Sequence, residues 1–286
     1  MNPETTRFAP SPTGYLHLGH AYSALFAHDI AQKTGGQFLL RIEDIDITRC
    51  SDAFEAAIFE DLAWLGLSWE TPVMRQNSRH PAYRAALDTL EGLGVLYPCF
   101  CTRREINAEI ERAASAPHSD APHSNGLIDY PGTCRKLSDG ERQTRMASGV
   151  EHAMRLDAEK AAGLVGPLEF VERERGPIAV DQNQFGDAVL ARKDIGTSYH
   201  LSVTVDDADQ SVTLVTRGID LFPVTHLHRV LQALLGLDVP EYYHHPMIED
   251  SAGVRLAKRN DALSLRHFRD QGLSPGAVRK MAGLPD

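Results

Sequence analysis

The sequence predicts an α/β protein built on a Rossmann-type parallel sheet. Three observations predict it. A short apolar stretch, Thr6-Arg7-Phe8-Ala9, leads through the turn-rich run Pro10-Ser11-Pro12-Thr13-Gly14 straight into a helical pattern. A second strand-like run, Gln37 to Glu43, follows that helix. Helical spacing then resumes at Ala53, Ala57, Ile58, Leu62 and Leu65. Strand, loop, helix and strand in that order open a nucleotide-binding unit.

Each element has a local reason. The first helix is expected over Ala21 to Lys33, with Ala21, Leu25, Phe26 and Ile30 on one face. The sheet is expected to resume with Ser202-Val203-Thr204-Val205 and Val212-Thr213-Leu214-Val215, followed by a helix from Thr225 to Leu235. The boundaries that follow are 1–96 for the first half of the sheet domain, 97–190 for an insertion, 191–240 for the second half, and 241–286 for a basic loop and a small helical end. No internal repeat is visible.

The loop before the first helix carries the chemistry. It ends in His17-Leu18-Gly19-His20, so two imidazoles stand one helical turn apart. Loop and helix-start N–H groups point at an anion, and imidazoles can stabilise charge that grows on an attacked phosphate. Far downstream, Val254-Arg255-Leu256-Ala257-Lys258-Arg259-Asn260 forms a basic loop between turn formers. Alone, such a loop reads as solvated surface.

Composition narrows the partners. The 286 residues allow a sizeable core and two or three subdomains. No apolar run is long enough to cross a bilayer, and no basic-then-apolar leader precedes Arg7, so a cytoplasmic protein is expected. A net charge of −10 argues against a bulk electrostatic grip on nucleic acid. A local basic face remains open to Arg103, Arg104, Arg135 and Lys136, and to Arg255, Lys258, Arg259, Arg266, Arg269 and Arg279.

The four cysteines follow no disulfide framework, which suits a reducing compartment. Cys99, Cys101 and Cys134 nevertheless share a Pro/Gly-rich region and suggest a structural zinc site. Zinc takes four ligands. On the residues alone His118 or His123 is the natural fourth, and three unconnected thiols are the plain alternative. Cys50 stands apart.

Taken together, these motifs resemble the class I aminoacyl-tRNA synthetases. His17-Leu18-Gly19-His20 matches their HIGH motif, and Arg255-Leu256-Ala257-Lys258-Arg259 is similar to their KMSKS loop. The runs Arg7 to Gly14, Arg41-Ile42-Glu43-Asp44-Ile45-Asp46, Val205-Asp206-Asp207 and Arg217-Gly218 resemble the glutamate-specific branch. Little sequence follows Lys258, which is too short for an anticodon-binding domain. With Arg217-Gly218-Ile219-Asp220-Leu221, this matches the short paralogous family, the glutamyl-Q tRNA(Asp) synthetases.

The resemblance implies ATP-dependent, tRNA-independent activation of L-glutamate with Mg²⁺, then transfer to queuosine in the anticodon of tRNA(Asp), by a monomer that contacts no membrane. It implies that Arg7 and Arg217 grip substrate carboxylate, Glu43 meets the ammonium, Tyr199 supplies a hydroxyl and Ser11 lies close. His17, Gly19, His20 and Lys258 would hold ATP, with His17, His20 and Lys258 catalytic. The family pattern Cys-x-Cys … Tyr-x-x-x-Cys implies zinc on Cys99, Cys101, Tyr130 and Cys134. Plainer readings pair Arg7 or Arg217 with Asp44, Asp46 or Asp220, and make Glu43 a helix cap. Ala257 departs from the family, which usually has a small hydroxyl residue before the key lysine. Competing functions are a truncated synthetase charging a tRNA 3′ end, a nucleotidyltransferase sharing only the HxGH loop, and a non-catalytic RNA-binding relative.

Overall fold

The computed structural model describes residues 2–114, 130–247 and 264–285, with side chains of the first stretch described through 108. Strand β1 (Thr5–Phe8) is followed by α1 (Leu18–Thr34), β2 (Gln37–Ile42), α2 (Asp52–Trp64), β3 (Glu70–Arg75) and α3 (His80–Gly92). Helix α1 starts earlier than its apolar spacing suggests because His17 caps it. It stops at Gly35, whose left-handed φ of 67° lets its N–H close on Ala31 and Gln32. Strands β1, β2 and β3 run parallel, with Arg7 opposite Leu39 and Arg41 opposite Met74. Phe38, Leu40, Arg41 and Ile42 are all buried, as expected when both sheet faces are covered.

The middle of the chain forms β4 (Leu96–Cys99), α4 (Arg103–Ala114), α5 (Asp139–Ala147), β5 (Ala153–Leu156), α6 (Ala158–Val165), β6 (Glu169–Glu172), β7 (Gly176–Ala179) and β8 (Val189–Ala191). After it come α7 (Tyr199–Asp209), β9 (Leu214–Gly218), α8 (Phe222–Leu235), β10 (Glu241–His245) and two short helices, α9 (Leu265–Asp270) and α10 (Pro275–Met281). Strands β4, β5 and β8 make a separate antiparallel sheet. The β6–β7 hairpin, inside the span 97–190, instead joins β10 and β9 in a four-stranded sheet ordered β7-β6-β10-β9. Strand β9 adjoins β1 through Thr213 N–H to Thr5 carbonyl at 3.0 Å, which brings the two parallel groups together.

One expected strand is a helix. Ser202-Val203-Thr204-Val205 lies in α7, although its β-branched residues favour strands. The Ser198 side chain caps Leu201 N–H and starts the helix, and every residue from Leu201 to Asp207 is buried. Tertiary packing on both sides overrides the local preference. The core divides accordingly: Leu25, Leu40, Ile58 and Leu62 pack under α1 and α2, while Tyr83, Leu87, Leu201, Leu227 and Leu231 pack around α3, α7 and α8.

Candidate active site

The turn-rich loop places two imidazoles at the start of α1. Gly19 N–H donates to His17 Nδ1 at 3.1 Å, and His17 N–H donates to His20 Nδ1 at 3.2 Å. This reciprocal capping box fills two helix-start donors with ring nitrogens. Since each Nδ1 accepts, this geometry assigns the proton of each neutral ring to Nε2. The rings lie 3.8 Å apart between centroids and present those Nε2–H groups from a helix N-terminus.

The far end of the chain returns to this loop. Ser264 forms an antiparallel bridge with His17, and Leu265 N–H donates to Leu16 carbonyl at 2.7 Å. At the other side, His245 Nε2 lies 3.0 Å from Ser23 Oγ on α1. Lys258, Arg255 and Ala257 fall outside the described residues, as do His118 and His123. In the sequence Lys258 stands six positions before Ser264.

A buried charge network lies beneath the sheet ends. Arg7 forks onto Asp207, with Nε to Oδ1 at 3.0 Å and Nη2 to Oδ2 at 3.3 Å, and donates Nη1 to Thr216 carbonyl. The fully buried Arg41 donates to Asp207 Oδ1 at 2.7 Å, to Gln210 at 2.9 Å and to Glu43 at 3.3 Å. Burial alone would raise the Asp207 pKa, but Arg7 and Arg41 outweigh it and hold the carboxyl below its usual value. For Glu43 the balance reverses: burial raises its pKa despite Arg41 and Arg7. Glu43 does not cap a helix, and Arg7 pairs with none of Asp44, Asp46 or Asp220.

Arg217 is buried differently. Its Nε donates to His244 Nε2 at 3.1 Å, Nη1 meets His228 Nδ1 at 3.2 Å and Nη2 donates to Thr225 Oγ1 at 2.6 Å. Arginine can only donate, so both imidazoles accept at those nitrogens. His244 then donates Nδ1–H to Glu172 at 2.5 Å, and His228 donates Nε2–H to His200 Nδ1 at 3.3 Å. Burial, then the Arg217 charge, lowers the His244 pKa to about 2 and the His200 pKa to about 4, and puts His228 well below its usual value. The close His244–Glu172 contact is therefore a hydrogen bond of a neutral ring. Arg217, only 6% exposed, meets three neutral groups and no carboxylate among the described residues.

A cleft of about 470 Å³ adjoins this network, lined by Ser11, Thr13, Glu43, Tyr199 and His200 together with Arg155, Phe185 and Asp187. Burial raises the Tyr199 hydroxyl pKa, and that hydroxyl senses Arg217, Glu43 and Arg7. Of the residues that sequence reasoning named, Ser11, Glu43 and Tyr199 line the cleft, while Arg7 and Arg217 lie outside its lining and reach it through their charges on the Tyr199 hydroxyl. Sequence reasoning gave no role to Asp207, which holds Arg7 and Arg41, to His228 and His244, which hold Arg217, or to Glu172 behind His244.

A second cluster lies at the end of β4. The thiol sulfurs of Cys99, Cys101 and Cys134 lie within 4.8 Å of one another. Tyr130 Oη is 3.4 Å from Cys99 Sγ and 3.5 Å from Cys101 Sγ, and it accepts Cys134 N–H at 2.8 Å. A tetrahedral zinc with Zn–S of about 2.3 Å and Zn–O of about 2.0 Å has S···O edges of about 3.5 Å, so this donor set could hold one. Burial raises the Cys101 thiol to about 12, while hydrogen bonds from Tyr130 and from Phe100 N–H overcome burial and lower Cys134.

Residues 4–284 match the tRNA synthetases class I (E and Q) catalytic domain. The chain belongs to this family of ligases. A glutamyl-Q tRNA(Asp) synthetase of Rhodobacter capsulatus is 50% identical over 98% of this chain and 99% of its own length. A glutamate–tRNA ligase of Aquifex aeolicus is 37% identical over 97% of this chain but only 56% of its own. Among solved structures, a glutamate-tRNA synthetase from Elizabethkingia anophelis superposes with a TM-score of 0.76 at 27% identity, covering 95% of this chain and 54% of that one. One from Elizabethkingia meningosepticum, solved with its amino acid, gives 0.73. The family's α/β catalytic fold is thus the fold of this synthetase chain. Among the described residues, none of its helices is long and apolar enough to cross a membrane.

Proposed function

We propose that this chain activates L-glutamate with ATP, without RNA, and passes the glutamyl group to queuosine in the anticodon of tRNA(Asp). The observation that carries the glutamate reading is Arg217. This buried guanidinium touches neutral groups and sees its nearest linked carboxyl, Glu172, only through His244, and a substrate carboxylate would give it direct charge-assisted bonds. Arg7, by contrast, already shares Asp207 with Arg41, so it adds positive potential and its remaining N–H groups. Glu43 faces the α-ammonium, which would offset the burial that raises its pKa, while Tyr199 and Ser11 orient the substrate in the cleft.

Activation needs alignment and charge stabilisation, not a protein nucleophile. The glutamate α-carboxylate attacks the α-phosphorus, the bond to the β-phosphate oxygen breaks, and pyrophosphate leaves. His17 and His20 donate Nε2–H to phosphate oxygens, and the Gly19 region gives the phosphates close backbone approach. Lys258, six positions before Ser264 in the sequence, neutralises the departing pyrophosphate. Mg²⁺ would travel with the ATP and supply further neutralisation. The Cys99, Cys101, Tyr130 and Cys134 set takes one structural zinc.

The RNA acceptor reading rests on the 50% identity to a relative of that name across 99% of its length. A monomeric, cytoplasmic enzyme is the accompanying reading. The test is transfer of labelled glutamate to tRNA(Asp) with and without queuosine. Label that is retained only on the queuosine form supports the proposal. Label on both forms, released with the 3′ end, means 3′-end charging instead.

A further inference from the structure

The cleft is also lined by a cation, Arg155, that glutamate activation leaves unused. Arg155 lies on β5, fixed in register opposite Tyr97 of β4 and Val189 of β8. Its guanidinium lies 4.0 Å over the Tyr130 ring, a close cation–π geometry. Its Nη1 donates to Asp187 carbonyl at 2.7 Å, and its Nε is buried without a partner. The Asp187 carboxylate does not neutralise it. That carboxylate is taken by Tyr97 hydroxyl at 2.5 Å, Arg135 Nη1 at 3.2 Å and Ala158 N–H at 3.1 Å. Arg192, which also lines the cleft, is already paired with Asp46 and Asp194, whereas among the described residues Arg155 has no carboxylate partner and meets the Asp187 carbonyl and the Tyr130 ring face.

From this we infer that Arg155 holds a phosphate of the RNA acceptor at the mouth of the cleft, and that the cysteine–tyrosine cluster seats it there. The inference rests on the reading that the acceptor is RNA. Its support is positional. The imidazoles that suit ATP phosphates stand at the start of α1 and do not line this cleft, whereas Arg155 lines it from the separate antiparallel sheet. A chain of net charge −10 gains little from bulk attraction, so an RNA strand needs local, pre-positioned cations. Exposed Arg49, lining the same cleft, extends the track. The seat is rigid because Tyr130 Oη is fixed by Cys99, Cys101 and the Cys134 N–H, and its ring in turn fixes the guanidinium.

The test compares the full wild-type chain with Arg155→Gln and Arg155→Lys. Binding of unmodified tRNA(Asp) is measured by fluorescence anisotropy across a salt series, with glutamate-dependent ATP–pyrophosphate exchange as a report of folding. Arg155→Gln is expected to weaken RNA binding about tenfold and to reduce the salt slope by about 0.7 to 1, the mark of one lost phosphate contact. Arg155→Lys is expected to keep the slope while losing part of the affinity, because the stacked plane is gone. The loss in RNA binding should exceed any loss in exchange by at least about fivefold. Unchanged affinity and slope in Arg155→Gln, or an exchange activity that falls in step with binding, overturns the inference. If wild type binds RNA through Arg155 but transfers nothing to queuosine, the acceptor reading fails and this inference stands. If wild type transfers and Arg155→Gln does so equally, the reverse holds. If wild type binds no RNA, both fail.

Discussion

Asp207→Asn is the most informative single change to the scaffold. One carboxylate serves two buried guanidiniums, Arg7 through both oxygens and Arg41 at 2.7 Å. The two arginines are 5% and 0% exposed, so water cannot screen them. Removing the shared anion leaves two like charges with only Glu43 and the more distant Asp206 for compensation. Breaking one buried pair costs about 3–5 kcal/mol, and the second arginine puts this site at the upper end. For a domain of this size that is a fall in Tm of about 10 °C or more. The sign against pH follows from the depressed pKa of Asp207. Its stabilisation is complete above the ordinary carboxylate range and disappears as pH falls through the lower folded value. Urea melts of both proteins at pH 7 and at successively lower pH would therefore converge in acid. A loss of less than about 1 kcal/mol in urea at pH 7, or a difference that does not shrink in acid, would refute the reasoning.

The remaining predictions concern the site. Glu43→Gln should raise stability slightly at neutral pH, because burial holds the wild-type pKa up and the ionised form costs stability above the usual carboxylate range; the gain should vanish in acid. The same variant should raise the KM for glutamate about 10- to 100-fold, measured by exchange, and an unchanged KM would remove Glu43 from the ammonium site. His17→Ala should lose about 1 kcal/mol of helix capping, read by urea unfolding, and 10²–10³ in exchange rate. His17→Asn should recover the stability but not the rate, and a rate within about tenfold of wild type would contradict the donor role. Cys101→Ser should reduce zinc from about one per chain to near none by elemental analysis, while the double change His118→Ala/His123→Ala should retain it; the opposite pattern would reassign the fourth ligand.

What the sequence displayed and what it hid divide along physical lines. Strand β1, the loop and α1 were legible because periodicity, turn residues and a two-histidine signature coincide there. His17 as the cap was not, since apolar spacing marks where a helix face begins and not which side chain closes its first turn. Ser202 to Val205 read as strand because valine and threonine suit pleated surfaces, yet Ser198 and burial on all sides make it α7. Arg7, Glu43, Tyr199 and Arg217 were found through motif resemblance. Their supports, Asp207, His228, His244 and Glu172, are set by contacts between residues far apart in the chain, such as Arg7 with Asp207. Asp206-Asp207 did stand inside a motif used for the resemblance. Nothing in one sequence says that one of the pair serves two arginines while the other accepts from Gln76, Arg79 and Tyr83.

The most direct measurement is glutamate-dependent ATP–pyrophosphate exchange in the complete absence of RNA, on wild type beside His20→Ala, Lys258→Ala and Arg217→Lys. Robust exchange with glutamate, falling at least about a hundredfold in the first two variants and showing a raised KM for glutamate in the third, is the predicted result. Exchange that requires RNA, that ignores glutamate, or that survives loss of both His20 and Lys258 would contradict an active site assembled from the two ends of this chain.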